Sequence, residues 1–242
     1  MTGTRERGYP TSSNRASSFH LHWLPREVLS EVSVTLQVVV QPAVSELYFW
    51  ALQASFTGPE GISGGAHMGL QWHPSYPASG AINWGGYDKF GTILEGSVST
   101  LPSALNNANT RDYAWVPGQS YRLRIRRGDP GWWAGEVTDL KTGTTTLVRS
   151  LRADGDGLTL AMVWSEVFAR CDDPAVAAVW SDPAGVTLDG RAWRPESYSI
   201  TYQTFEDGGC SNTDVVLLPA GVGQFTGVTR TTPPGALIAV VG

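Results

Sequence analysis

Apolar and polar side chains alternate with a period of two along much of this chain. Between residues 31 and 40, Val32, Val34 and Leu36 would share one face of an extended segment, and Ser33 and Thr35 would share the other. This alternation is typical of β-strands with one buried face. No long segment shows the 3.6-residue period of an amphipathic helix.

Residues 46–87 contain three short runs of aromatic and branched residues, separated by clusters of Gly, Pro and Ser. This spacing predicts consecutive antiparallel strands. Residues 91–109 lack a period and predict either a functional loop or a meandering segment that covers one sheet edge. Similar short runs then continue to residue 241. The dozen or so expected strands indicate an all-β fold, namely a two-sheet antiparallel β-sandwich or jelly roll.

Length and composition indicate one domain. The chain has 242 residues, 41% of them hydrophobic and 16% charged, which is a globular composition rather than a disordered one. We expect residues 1–18 to form a flexible polar arm and residues 19–242 a single sandwich domain. The net charge of −5 argues against a nucleic-acid partner. No run approaches the roughly 18 apolar residues of a membrane helix, so no membrane insertion is expected. The sequence leaves the oligomeric state open.

Two cysteines, Cys171 and Cys210, lie in segments with the composition of loops, and a disulfide between them is possible. Residues 1–18 are polar and do not resemble a secretory signal. A cytoplasmic location with reduced thiols is therefore expected, and a signal removed before this sequence begins would make the protein extracellular instead.

Several phrases carry a resemblance to known sandwich proteins. The segment Trp133-Ala-Gly-Glu-Val-Thr-Asp-Leu-Lys-Thr-Gly-Thr resembles a strand–turn–strand unit of concanavalin A-like and jelly-roll domains. Tyr48-Phe-Trp-Ala-Leu-Gln, Asn83-Trp-Gly-Gly-Tyr and Val163-Trp-Ser-Glu-Val-Phe are similar to phrases in uncharacterised bacterial sandwich proteins. The resemblance covers about residues 30–205 and implies the architecture of carbohydrate-binding modules and polysaccharide-cleaving enzymes. It carries no catalytic signature.

The residue types between positions 67 and 87 favour ligand recognition. Trp and Tyr rings stack on sugars, while Asn, Gln and His hydrogen-bond to hydroxyl groups. The predicted ligand-binding residues are His67, Gln71, Trp72, His73, Asn83, Trp84 and Tyr87. The leading hypothesis is a non-catalytic recognition domain for a glycan or another small polar ligand. With ten tryptophans in the chain, most of these rings are nevertheless expected in the core.

A polysaccharide-cleaving enzyme is the first alternative. A glycosidase needs two carboxylates, and Glu166, within an apolar run, is the best candidate, with Glu136 or Asp172 as its partner. Glu166 could instead form an ion pair with Arg170. A lyase would need a base such as His73, although the histidines could equally bond to neighbouring backbone. A structural or assembly protein with exposed aromatic rings is the further alternative.

Metal sites are weakly indicated. His67 and His73 lack an evident third ligand, which makes zinc improbable, and no cofactor is expected. Asp154-Gly-Asp156-Gly resembles a fragment of a calcium loop without the downstream Glu, and is more often a plain turn. The alternating Arg122, Arg124 and Arg126 could receive an acidic glycan, or could form a solvated face paired with Glu136.

Overall fold

The computed structural model describes residues 3–240, which form seventeen β-strands and no helix. Their bounds are β1 Ser17–His22, β2 Leu29–Val40, β3 Tyr48–Gly58, β4 Gly61–Trp72, β5 Gly80–Asp88, β6 Ser103–Ala104, β7 Asn107–Asp112, β8 Ser120–Arg127, β9 Trp132–Asp139, β10 Thr144–Arg152, β11 Gly157–Val167, β12 Ala177–Thr187, β13 Ala192–Trp193, β14 Ser197–Tyr202, β15 Thr213–Leu218, β16 Gly221–Thr226 and β17 Leu237–Ala239. The described part of the chain therefore has no helix that is long and apolar enough to cross a membrane.

The strands form two antiparallel sheets. Sheet A has the order β6-β7-β5-β4-β3-β11-β1-β14-β17. Sheet B has the order β10-β9-β8-β2-β12-β16-β15, with the short β13 beside the end of β12. A single pairing, Leu158 with Leu29, joins the two sheets at one corner. The prediction of an all-β, two-sheet antiparallel sandwich is confirmed.

The core lies between the sheets and takes the apolar residue of each alternating pair. In β2, Val32, Val34 and Leu36 are fully buried, as the period of two predicts. Seven of the ten tryptophans are buried as well: Trp23, Trp50, Trp84, Trp115, Trp133, Trp164 and Trp180. The other three, Trp72, Trp132 and Trp193, are half-buried. Burial of large apolar area is the dominant stabilising contribution, so most of these rings serve the fold.

The first residues of the chain lie along the edge of the sandwich. The backbone N–H groups of Arg5 and Gly8 donate to Ser211 Oγ and Asp172 Oδ1, at 2.9 Å in each case. Ser17 and Ser18, which the sequence analysis assigned to a polar arm, open β1. The segment that precedes β1 is thus held by contacts with loops from the second half of the chain.

Cys171 and Cys210 form a disulfide that links the β11–β12 and β14–β15 loops. Their Cα atoms are 5.6 Å apart across 39 residues of sequence. The expectation of reduced thiols is therefore wrong for this structure, and the alternative of a disulfide is confirmed. The bond joins the two loops covalently. It also stabilises the fold, because it restricts the unfolded chain between the two cysteines.

Candidate functional site: the outer faces of the two sheets

The outer face of sheet A gathers imidazole, amide and indole groups. In the register, Gln53 of β3 lies opposite His67 of β4 and opposite Met162 of β11. Trp164 Nε1 donates to Gln53 Oε1 at 2.9 Å. The ring of His67 meets the ring of Trp164 at 5.7 Å between centroids. We call this surface, with His20 and His22 of β1 beside it, the imidazole face.

The middle of the imidazole face is lined by small residues. Ala51, Gly69 and Asn83 follow one another across β3, β4 and β5 in one row of paired residues. A Cβ on Gly69 would overlap the carbonyl oxygen of Trp50, so β3 and β4 approach each other where only glycine fits. The surface between His67 and Asn83 is therefore formed by backbone rather than by large side chains.

Burial sets the protonation of this face. It lowers the pKa of both His20 and His67 to about 4, with a further contribution from neighbouring His22 at His20. Both rings are therefore neutral near pH 7. Burial also raises the pKa of the Glu166 carboxyl, and a hydrogen bond from Asn14 Nδ2 to Glu166 Oε1 at 2.9 Å partly opposes this effect.

Four predicted ligand-binding residues share the outer face of sheet A, namely His67, Gln71, Asn83 and Tyr87, but two of them are already occupied. Gln71 Oε1 accepts a hydrogen bond from Tyr76, and Asn83 Nδ2 donates to Thr110 Oγ1, both at 2.9 Å. Each of these amides is only 6% exposed. Asn83 Oδ1 is buried without a hydrogen-bond partner among residues 3–240. Of the four, His67 and Tyr87 retain an accessible side chain.

The predicted tryptophans point to the other side of sheet A. Trp84 is fully buried in the core, where its Nε1 donates to the carbonyl of Trp133 at 3.3 Å. Trp72 lies beside Tyr48 and packs against the same core. Successive residues of a strand face opposite ways, so Trp72 and Trp84 cannot join Gln71 and Asn83 on one surface. The prediction that these two rings contact a ligand is corrected accordingly.

His73 lies apart from this group. It follows β4 in a loop, where its Nδ1 accepts a hydrogen bond from the N–H of Ser75 at 3.1 Å. Its ring contacts Tyr76 at 5.7 Å between centroids. Tyr87, by contrast, is 49% exposed and lies two residues from Gly85, the register partner of His67, so it is a diagonal neighbour of His67 on the same face. The structure therefore brings His67 and Tyr87 to one face and leaves His73 outside it.

The carboxylates suggested for hydrolysis are also separated. Glu166 is on sheet A, Glu136 is on the outer face of sheet B, and Asp172 lies in a loop, where it accepts a hydrogen bond from Arg170 at 3.2 Å. Along the row of paired residues that contains Glu166, the next carboxylate is Asp112, four strands away. Four strand spacings amount to about 19 Å along the sheet, whereas paired catalytic carboxyls lie about 5–10 Å apart.

On the outer face of sheet B the arginine row is paired with acids. Arg126 Nε donates to Glu136 Oε1 at 2.9 Å, and Arg124 forms ion pairs with both Glu31 and Glu136. Arg122 donates to Ser33 Oγ at 2.8 Å. The interpretation of this row as a paired, solvated strand face therefore fits better than that of an open receptor for anions.

A groove of about 550 Å³ lies beside this arginine row. Ala134 of β9 forms its floor, between Arg126 of β8 and Ser150 of β10, which are its register partners. Trp132 and Leu147 give it apolar walls, and residues 127–129 close one end. The Trp132 ring is half-buried and contacts no other aromatic ring among residues 3–240. We call this the Trp132 groove.

Trp132 is not among the predicted ligand-binding residues, although the sequence contains a signal for it. Trp132 and Trp133 are adjacent in a strand, so one of the two rings must face the core and the other must face outward. Trp133 is 1% exposed and fills the core, which leaves Trp132 on the surface. A pair of neighbouring tryptophans in a strand thus predicts an outward ring without any knowledge of the fold.

The segment that resembles a fragment of a calcium loop, residues 154–157, lies between β10 and β11. Asp156 forms an ion pair with Arg127 at 3.1 Å, and the carbonyl of Asp154 accepts a hydrogen bond from the Ser63 hydroxyl. Within residues 3–240, no group of three or more His, Cys, Asp or Glu side chains is arranged to hold a metal ion.

Comparisons with known proteins bear on the fold. No family model and no curated protein matches this sequence. Among solved structures, a scytalido-glutamic peptidase with a peptide-based transition-state analogue is similar at a TM-score of 0.51 and 14% identity, covering 89% of this chain and 98% of that one. SCP-B, an Eqolisin-family peptidase in complex with the tripeptide Ala-Ile-His, reaches 0.49 at 14% identity, covering 89% and 98%. Peanut lectin with a 9mer peptide reaches 0.28 at 11% identity, covering 93% and 73%. At this identity the chain shares the sandwich fold of the first of these proteins, and the likeness extends to fold alone.

Proposed function

We propose that this protein is a non-catalytic recognition domain that binds a neutral carbohydrate in the Trp132 groove. The observation that carries the proposal is the half-buried Trp132 ring, which borders a groove that also contains hydroxyl, carboxylate and guanidinium groups. A sugar has an apolar ring face and a rim of hydroxyl groups, and a surface indole with polar groups beside it matches both.

The size and lining of the groove suit a small saccharide. Its volume of about 550 Å³ lies within the range of roughly 300–1,000 Å³ found for small-molecule sites. Trp132 and Leu147 supply apolar surface, while Asp129 and Ser150 line the same groove with groups that bond to hydroxyls. The groove thus offers both kinds of contact within reach of one ligand.

Charge pairing favours a neutral ligand over an acidic one. Arg126 is paired with Glu136, and Arg127 with Asp156. A uronic acid would have to compete with these carboxylates for the guanidinium groups. Asp129, which forms no ion pair within residues 3–240, would repel it. Hydroxyl groups can bond to the free N–H groups of a paired arginine without displacing its partner.

The experiment is a screen of immobilised neutral and uronic-acid oligosaccharides, followed by calorimetric titration of those that bind. We expect neutral sugars to bind at least as tightly as uronates. Trp132→Ala should weaken binding at least tenfold because the stacking surface is lost, and Trp132→Phe should retain most of the affinity. Tyr87→Ala is the matched control, since it removes an exposed ring from sheet A and should leave the affinity unchanged.

Two outcomes would overturn the proposal: no sugar in the screen binds, or Trp132→Ala binds as the wild type does. A third outcome would replace it with a catalytic function. Glu166 has a raised pKa on the imidazole face, and the fold is shared with a protein described as a glutamic peptidase. Cleavage of an oligosaccharide or a peptide that is abolished by Glu166→Gln would favour a hydrolase.

A further inference from the structure

His20 and His22 present two imidazoles on one surface of β1. They are two residues apart in a strand, so both side chains project from the outer face of sheet A. Their ring centroids are 5.8 Å apart and their planes differ by 31°. A metal bound about 2 Å from one nitrogen of each ring would place the centroids between about 4 and 6 Å apart. The observed separation therefore allows one metal ion to bind a nitrogen of each ring, with a wide nitrogen–metal–nitrogen angle.

A thioether lies beside this pair. Met162 of β11 is directly opposite His22 in the antiparallel register, and it packs on the outer side of sheet A with Phe49 and Trp164. Directly opposed residues have Cβ atoms about 4.5–5.5 Å apart, so the flexible Met162 side chain can reach the space next to the His22 ring. Met68, by contrast, is fully buried in the core.

The hydrogen bond of His22 is compatible with metal ligation. Its Nε2 lies 3.0 Å from the hydroxyl oxygen of Thr201 on β14. With the proton on Nε2, the imidazole donates to Thr201, and the lone pair of Nδ1 stays free. Such a partner on the second nitrogen is the usual way in which a metal-binding histidine is oriented. No protein group among residues 3–240 is hydrogen-bonded to the His20 ring.

We propose that His20, His22 and Met162 form a binding site for monovalent copper. Two imidazoles and a thioether are a soft ligand set, which selects Cu(I) over the divalent ions that prefer carboxylates. The neighbouring carboxylate, Glu166, is bonded to Asn14, and no third His, Cys, Asp or Glu completes a zinc or calcium site there. Because both cysteines are in the disulfide, no free thiol competes for the ion.

The test is an anaerobic titration of the whole protein with Cu(I) against a chromogenic chelator, with ascorbate as reductant so that the disulfide stays intact. We expect one equivalent of Cu(I) to bind. His20→Ala and His22→Ala should each weaken binding at least a hundredfold, and the near-isosteric Met162→Leu about tenfold. His73→Ala is the control and should bind as the wild type does, because its ring lies in the β4–β5 loop.

A second measurement uses the wild-type protein alone. Addition of Ag(I), a redox-inert analogue, should shift the NMR signals of the His20 and His22 rings and the Met162 methyl group, and leave those of His73 unchanged. The proposal is wrong if Cu(I) binds no more tightly than Zn²⁺, if Met162→Leu has no effect, or if Ag(I) moves other signals instead. These results are independent of the Trp132 groove, which lies on the other sheet.

Discussion

The two outer faces of this sandwich treat their polar groups in opposite ways. On sheet B, Arg124 and Arg126 keep their charges and are paired with Glu31 and Glu136. On sheet A, burial lowers the pKa of His67 to about 4 so that its ring is neutral at pH 7. The same alternation of apolar and polar residues thus produces a charged, ion-paired surface in one layer and an uncharged one in the other.

The difference comes from what covers each sheet. Glu166 on the imidazole face lies under the segment that precedes β1, and a Cβ on Gly85 would meet the Asn109 side chain of the β6–β7 region. Groups beneath such a cover lose water, which disfavours their charged forms. The arginine row of sheet B remains partly open, with Arg124 and Arg126 about two-fifths exposed. The uncharged face is therefore the more covered one, and the charged face is the more open one.

The largest expected change in stability distinguishes the two adjacent tryptophans of β9. Trp133→Ala should lower the free energy of unfolding by about 3–5 kcal/mol because a 1%-exposed ring leaves a cavity in the core. Trp132→Ala, one residue away, should cost less than about 1 kcal/mol because its ring borders the groove. Urea unfolding monitored by far-UV circular dichroism measures both. Equal losses would mean that Trp132 serves the fold rather than a ligand.

A smaller loss of stability is expected when an ion pair of sheet B is broken. Glu136→Gln should cost about 1.5–3 kcal/mol, because Glu136 is nearly buried and accepts hydrogen bonds from two arginines. Glu95→Gln is the matched control. Glu95 and Arg152 are both about two-thirds exposed, so the loss there should stay below about 1 kcal/mol. Equal losses of stability in the two variants would mean that the ion pairs of Glu136 on sheet B are no stronger than an exposed pair.

The smallest effect on stability, expressed per pH unit, concerns His67 on the imidazole face. The unfolded chain binds a proton at each histidine near pH 6.5, but folded His67 does so only near pH 4. Its contribution to stability is therefore complete above pH 6.5 and is lost as the pH falls toward 4. His67→Gln should remove up to about 1.4 kcal/mol per pH unit of this slope. Urea unfolding at several pH values measures the slope, and an NMR titration of His67 above pH 6 would contradict its cause.

The alternation of side chains was sufficient to predict the sandwich, because burial on one side of a strand leaves a period of two in the sequence. It also predicted the core positions of β2. The sequence predicts a loop or a segment that covers a sheet edge at residues 91–109, and β6 and the start of β7 lie within it. Ser103, Asn107 and Asn109 have low strand propensity, and their strands exist because β5 offers a free edge for β7.

The candidate site was harder to predict, because its geometry depends on which strands become neighbours. Gln53 and Trp164 are 111 residues apart in sequence and meet only because β3 pairs with β11. The choice of Trp84 as a ligand contact failed for a simpler reason. Its neighbour Asn83 was assigned to the same surface, although adjacent strand residues face opposite ways.

The path of residues 3–16 has a consequence for how the chain matures. Backbone groups of Arg5 and Gly8 bond with Ser211 and Cys171, and β1 pairs with β11 and β14. A ribosome makes this segment before its partners, which emerge about 150 to 200 residues later. At the usual pace of synthesis the segment waits many seconds without them, so it cannot dock until most of the chain has been made. Contacts between residues so far apart in sequence are also expected to form slowly.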